Sequence, residues 1–458
     1  MVFGRSFLLS FVSALGFAAT AHAQAPQAPA TTAAPAAAPA GSAAPADSAA
    51  APADAPPAEL PRTSTSSTLP PAVALEANPP GALPKPNSAP VPNDAPPPAP
   101  AKAAAPPQLK LETDNGTSIR FGLLWQGQLE LKGNSSNDDL SRNFYLRRFA
   151  LLIGGTVLKD FEYFFDSDFA DLLKAPTGDQ ALKNGPAFQT KDAFATYRAL
   201  DDKIKIDGGL LLPPGTHNFL QGGGSLYAWD FFLNTFRAAN SFGSVNNPYG
   251  RDVGVQLRGI VAGGLLEYRI GAFQGKRNVP VTGAESRAAS RNDFRYAARI
   301  QLNFLDPETN YFYAGTYLGT KKVFSIGASV DYQHDDDEAY RAFGGDAFLD
   351  VPAGPGEITA QVNVLHRNGG TRIVFPKQTA FMAEAGYRFD AIKLSPIARF
   401  ERRWGSAAAG RETDVGGGLA FWPYGHNSNL KAFYTRLIPE SPAEAYDQFN
   451  LQWQLNFY

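Results

Sequence analysis

Residues 117–132 read TSIRFGLLWQGQLELK, and the fold turns on how this stretch alternates. Ile119, Phe121, Leu123, Trp125, Leu129 and Leu131 fall on one face, and Arg120, Gln126, Gln128, Glu130 and Lys132 on the other. A period of two held for about 14 residues describes a half-buried strand, well beyond the about 5–6 residues usual in soluble sheets. The pattern recurs down the chain. Val253, Val255 and Leu257 alternate with Asp252, Gln256 and Arg258, and Tyr296, Ala298, Ile300, Leu302 and Phe304 alternate with Arg295, Arg299, Gln301 and Asn303. Phe381, Ala383, Ala385, Tyr387 and Phe389 alternate with Glu384 and Arg388, and Leu451, Trp453, Leu455 and Phe457 alternate with Gln452, Gln454 and Asn456.

Two architectures produce such faces. A soluble sandwich buries its apolar faces together, whereas a transmembrane barrel turns them to lipid and keeps a polar lumen. The apolar faces here mix aromatics with Ala, Gly and Leu, which suits lipid and interfacial belts better than a tightly interlocked core. The expected fold is therefore all-β, a 16-stranded antiparallel transmembrane β-barrel preceded by a disordered Ala/Pro-rich segment.

Composition narrows the remaining classes. The 458 residues include no cysteine, which excludes disulfide scaffolds, thiolate metal sites and Cys nucleophiles. Lys and Arg number 41 against 43 Asp and Glu, so the basic excess of a nucleic-acid binder is missing. No run of 18 or more apolar residues occurs, so no membrane-spanning helix is expected.

Three segments follow from the start of the chain. Arg5, the apolar run from Ser6 to Ala18 and the small-x-small site Ala21-His22-Ala23 read as a signal peptide over residues 1–23, cleaved near Ala23. Residues 24–107 hold 23 of the 37 prolines and no Phe, Trp or Tyr. Such a segment cannot bury enough apolar surface to offset its ordering entropy. It reads as a disordered periplasmic linker or stalk, with or without a partner. Residues 108–458 form the expected barrel domain.

Loop lengths test the strand count, because both termini of a single-chain bacterial barrel face the periplasm and the count is even. Sixteen strands are expected, near 117–132, 144–158, 161–170, 187–198, 203–212, 251–261, 264–274, 294–304, 322–333, 341–351, 357–367, 379–389, 393–403, 413–422, 429–437 and 447–457. Short turns at Lys159-Asp160, Asp201-Asp202, Ala262-Gly263, Pro352–Gly356, Asp390–Ile392 and Pro423–Ser428 alternate with longer outer loops. A seventeenth strand at 311–318 would break parity, so 305–321 is expected to be one longer periplasmic connection. The longest loop, Pro213 to Gly250, carries Gly222-Gly223-Gly224 and then Tyr227, Trp229, Phe231, Phe232 and Phe236. Exposed, that many rings would be costly. The loop is expected to fold into the barrel mouth as a constriction, with His217, Tyr227, Trp229 and Arg237 on it; an ordinary outer loop or a subunit contact is the other reading.

Several stretches resemble the phosphate-selective porin O/P family of Gram-negative outer membranes. They are FYLRRFALLIGGT at 144–156, KDFEY at 159–163 with Asp168-Phe169, KDAFATYR at 191–198, GRDVGVQL at 250–257, YRIGAFQG at 268–275, Tyr424-Gly-His-Asn427 and the aromatic last strand. The resemblance spans roughly residues 117–458. It implies a sixteen-stranded barrel, usually a homotrimer, that passes anions or small solutes by diffusion across the outer membrane. Its partners would be outer-membrane lipid, small anionic solutes and the barrel-assembly machinery, which would read the strand ending at Phe457. Three features depart from the family. Leu212 precedes Pro213-Pro214 where relatives often carry Lys, the Ala/Pro tract replaces a short coiled coil, and Tyr458 stands one residue past the apolar register of the last strand.

Taking each polar face as lumenal gives expected pore-lining cations at Arg120, Arg258, Arg269, Arg295, Arg299, Arg388, Arg399, Arg403 and Lys431. The matching anions are Glu130, Glu162, Asp166, Asp168, Asp252, Glu267, Glu384 and Glu401. Acids gather on the third expected strand and arginines at Arg295/Arg299 and Arg399/Arg403, a segregation that would set a transverse field across the pore. A guanidinium fork suits phosphate or carboxylate. Local pairing, as of Glu401 with Arg399 and Arg403, is the competing reading. The expectation is a general pore with a mild anion preference.

No catalytic residue, cofactor or metal is expected. His22, His217, His334, His366 and His426 are scattered, and no nucleophile elbow, HExxH helix or phosphate-cradling glycine loop occurs. Asp335-Asp336-Asp337-Glu338 reads as a solvated acidic loop ahead of a calcium site. An exported soluble carbohydrate-binding protein and a barrel-borne hydrolase stand as alternatives.

Overall fold

A computed structural model describes residues 108–133, 140–175, 188–231, 250–275, 293–334, 338–369, 377–405, 411–440 and 444–458. The expected signal peptide (1–23), the whole Ala/Pro segment (24–107), Phe232, Phe236, Arg237 and Asp335–Asp337 lie outside these residues.

Seventeen strands occur among them. They are β1 (Leu109–Glu112), β2 (Ser118–Gly133), β3 (Leu140–Thr156), β4 (Phe161–Asp168), β5 (Gln189–Leu200), β6 (Ile204–Leu211), β7 (Asp252–Val261), β8 (Leu266–Phe273) and β9 (Arg295–Asn303). Then follow β10 (Val323–Gln333), β11 (Tyr340–Ala353), β12 (Gly356–Asn368), β13 (Lys377–Phe389), β14 (Leu394–Gly405), β15 (Glu412–Phe421), β16 (Ser428–Pro439) and β17 (Tyr446–Phe457). Strands β2 to β17 each pair antiparallel with their sequence neighbours, and β17 pairs back onto β2, so sixteen strands close a barrel. Closure leaves no open edge, the condition for a sheet to cross hydrocarbon. The short β1 hairpins onto residues 118–121 of β2, beyond the point where β17 stops pairing at Leu123.

The burial pattern is the inverse of a soluble protein's. Phe144, Val255 and Ile300 are 76%, 56% and 57% exposed on the outer wall, while Gln128, Gln301 and Gln452 are 0% exposed inside. Buried amides are tolerable only when hydrogen-bonded. Across the β17–β2 seam, Gln126 Nε2 donates to Gln454 (2.7 Å), Gln128 Nε2 to Asn450 (2.9 Å) and Gln452 Nε2 to Gln128 (3.0 Å). A soluble sandwich would place these two faces the other way round.

The strand count and parity agree with the sequence reading. Short links at 157–160, 201–203, 262–265, 354–355, 390–393 and 422–427 lie at the end that carries the chain terminus. In the 262–265 link Ala262 and Gly263 both take positive φ, 53° and 67°, which lets the chain reverse within four residues. The connection 304–322 lies at the same end and contributes no strand. The last residue settles its register in an unexpected way. Phe457 pairs with Leu123, and Tyr458 turns inward, 3.8 Å from the Arg120 guanidinium and edge-on to Phe164. Gly122 and Gly154 make room for that ring, since a Cβ on either would collide with it.

Candidate functional site: a lumen filled from both ends

Two segments occupy the lumen. The first, residues 212–231, enters from the outer end after β6; the second, 304–322, enters from the terminal end between β9 and β10. They meet in a short parallel bridge, Gln221 beside Tyr313. Gly222 N–H donates to the Tyr313 carbonyl (2.9 Å), Tyr313 N–H to Leu220 (3.0 Å) and Gly315 N–H to Ser225 (2.8 Å). Leu212 packs with Leu220 and Tyr313, and its backbone N–H and carbonyl both bond the Tyr311 hydroxyl. Leu212, just before Pro213-Pro214, is thus part of an apolar joint.

His217 sits at the centre of this joint, 0% exposed, stacked between Tyr313 (4.8 Å) and Phe348 (4.1 Å). Gln221 donates to its Nδ1 (3.1 Å), which leaves the proton on Nε2 to bond the Glu308 carboxylate (3.0 Å). Burial pushes the Glu308 carboxyl upward, but His217 beside it and hydrogen bonds from His217, Tyr317 and Gln301 hold it below the usual range. The Tyr317 hydroxyl is driven up by burial and by Glu308. At the terminal-end rim, His426 Nε2 donates to the Thr316 carbonyl (2.9 Å). Burial lowers that imidazole to about 4, so it stays neutral as a turn-to-segment tie.

Wall donors fasten both segments by their carbonyls. Arg299 donates to Gly215 (2.9 Å), Arg399 to Asp230 (2.7 Å) and Phe231 (3.2 Å), Lys431 to Leu226 (2.7 Å) and Ala228 (3.0 Å). Arg269 donates to Tyr311 (2.8 Å). Gln126 and Gln454 reach the carbonyls of Gly223 and Gly224. A side chain at Gly224 would strike Asn456 at 2.8 Å, so the triglycine lets the loop backbone lie close to the wall.

The sequence-predicted residues fall into distinct places. Tyr227 and Trp229 are buried with Trp422, Ile397 and Phe433 in the first segment's packing against β14–β16. Arg269, Arg299 and Arg399 hold the segments while each also meets a carboxylate: Glu267 at 2.8 Å, Asp346 at 2.6 Å and Glu384 at 2.6 Å. Arg258 pairs with Asp207 (2.7 Å), and Arg295 with Asp331 and, at 3.5 Å, Asp252. Arg403 stands opposite Glu412 in register. Arg120 lies on the Tyr458 ring. His334 is exposed near the β10 end, and His366 bonds Thr379.

A cavity of about 230 Å³ remains between the filling segments and the wall of β2–β5 and β17. Four cations line it, Arg147, Arg148, Lys191 and Arg251, with Asp166 and Asp168. None of the four cations stands among the expected pore-lining residues. Two of them are the extra residue of a β-bulge: Gln126 and Gly127 pair with Arg148 and Leu146, skipping Arg147, and Asp166 and Ser167 pair with Asp192 and Thr190, skipping Lys191. A bulge re-aims one side chain against the alternation, so strict period-two counting passes over both. Asp230 bridges Arg147 (2.7 Å) and Arg148 (2.6 Å), Asp192 meets Arg251 (3.0 Å), and Lys191 meets Asp166 (2.9 Å).

No protein-family model and no curated protein matches the chain. Solved structures do. The chain is similar to Salmonella typhi OmpF in complex with daunomycin (TM-score 0.50, 13% identity, 76% of this chain and 100% of that one). It is similar to the anion-selective porin from Comamonas acidovorans (0.50, 11%, 74% and 100%) and to Pseudomonas putida OprB at high pH (0.53, 12%, 75% and 95%). At such identities the likeness is one of fold: the chain has the barrel fold of these porin structures.

Proposed function

We propose that the protein is a porin of the phosphate-selective O/P type, exported with cleavage near Ala23 and inserted in a Gram-negative outer membrane. It gives small hydrophilic solutes passive diffusion, with a mild preference for phosphate-like anions. The observation that carries this reading is the closed barrel with rings outside and a charged, amide-rich lumen inside, a pattern that pays off only between lipid and water. The preference rests on the order of charges around the cavity. Four cations line it against two carboxylates, while Asp192 and Asp230 are buried behind their arginines. A passing anion meets the guanidinium forks first. Because most lumenal arginines are already paired, the preference is mild. In planar bilayers under a KCl gradient the reversal potential should favour chloride modestly; a cation-favouring potential would overturn the preference.

A homotrimer is part of the same reading. A tilted strand needs about 9–11 residues to cross the hydrocarbon, yet β4, β6 and β8 have 8 each. We place this low wall against neighbouring subunits, with the strand ending at Phe457 serving the assembly machinery. The chain has no cysteine, so a single Ile270→Cys on β8 should give subunit-to-subunit products with a bifunctional thiol reagent. Val415→Cys on β15 should give none. Equal yields from both positions would refute the placement.

A further inference from the structure

The lumenal wall is mostly polar; besides the apolar positions against which the two segments pack, such as Ile397, Phe433 and Phe348, one apolar band borders the cavity. On four adjacent strands the inward positions at one level are apolar: Leu124 on β2, Ala150 and Leu152 on β3, Phe164 on β4 and Phe194 on β5. Their registers place them side by side, Leu124 opposite Ala150, and Phe164 opposite both Gly154 and Phe194. Gly122 and Gly154 admit the inward Tyr458 ring beside this band. Phe312, from the second lumenal segment, faces Phe164 edge-on at 5.9 Å. Directly toward the outer end, the same 230 Å³ cavity changes character and is lined by Arg147, Arg148, Lys191 and Arg251.

We propose that this cavity is a binding site for an aromatic carboxylate, held with its ring on the apolar band and its carboxylate among the four cations. The inference rests on the porin reading and names one solute class for it. Small hydrated inorganic anions gain nothing from the ring-lined half, and water left there is poorly bonded, so its release favours an apolar occupant. The edge-on rings of Phe164, Phe312 and Tyr458 suit a further ring in offset or T-shaped contact. A planar carboxylate matches the guanidinium fork in two-pronged fashion. An aliphatic acid fills only the charged half, and an uncharged aromatic only the apolar half.

Benzoate, acetate and benzyl alcohol separate these contributions. Binding to the full-length protein in detergent is measured by calorimetry, and block of KCl current is measured in bilayers. Benzoate should bind and block at least tenfold more tightly than either acetate or benzyl alcohol. Leu152→Asn should bring benzoate down to the acetate level with acetate unchanged, while Arg251→Gln should weaken both acids. Equal affinity for benzoate and acetate, or for benzoate and benzyl alcohol, overturns the site whether or not the channel conducts. Selective benzoate binding by a protein that opens no channel supports the site and refutes the porin reading instead.

Discussion

Replacing residues 215–230 by a short glycine–serine link should raise single-channel conductance severalfold while the barrel still assembles. The segment removed is packing material for the lumen, not part of the wall: its contacts run to side chains of β2, β9, β12, β14 and β16 and to the 304–322 segment. The sixteen-strand ladder closes without it. Once it is gone, Arg299, Arg399 and Lys431 lose their carbonyl partners, but water enters to replace them, and Glu308 loses His217 to solvent in place of a buried void. A gentler version isolates the clamp. Lys431→Met leaves the Leu226 and Ala228 carbonyls without their donor, at about 1–3 kcal/mol for each buried group left unmet. It should produce flickering current at nearly the parental conductance. Unheated gel migration checks that both variants are folded barrels. A conductance unchanged by the deletion would mean that residues 215–230 do not limit the pore.

The barrel was legible because its signal is local. Alternation at period two is written into each strand separately, and the parity of short and long links fixes the number of strands and the end at which 304–322 lies without any knowledge of pairing. What fills the barrel was only half legible. The first segment announced itself by Tyr227, Trp229 and the triglycine, which sit badly in an outer loop. The second offers Tyr311, Phe312 and Tyr313 in a stretch too short to be told from a strand. Charges were the least legible feature. Asp346 meets Arg299 across 47 residues and Asp207 meets Arg258 across 51, distances that only the register determines, so arginines that look open in the sequence turn out to be neutralised. Arg147 and Lys191 escaped for the opposite reason, each being displaced from its expected face by one bulged residue.

The first of those bulges leaves Asp230 as a fixed negative charge between two arginines. Its carboxylate lies between Arg147 Nε and Arg148 Nη2, and although burial works to raise its pKa, the two guanidiniums hold it well below the usual carboxylate range. It therefore stays ionised at any pH the outer membrane meets, and cancels one of the two positive charges beside it. Asp230→Asn keeps the shape and removes the charge. Each guanidinium gives up a charge-assisted hydrogen bond, about 1.5–3 kcal/mol, and turns toward the water and ions in the cavity. The chloride-to-potassium permeability ratio should rise severalfold. Arg148→Gln keeps Asp230 but halves its neutralisation, so the ratio should fall, toward cation preference. Both changes should shrink as salt is raised from 0.1 to 1 M, because the screening length drops from about 10 Å to about 3 Å. Opposite displacements of the reversal potential by two adjacent substitutions require ions to pass within that distance of the Arg147–Asp230–Arg148 cluster. If the potentials move together, or not at all, ions travel elsewhere and the cations at the bulges only brace the loop.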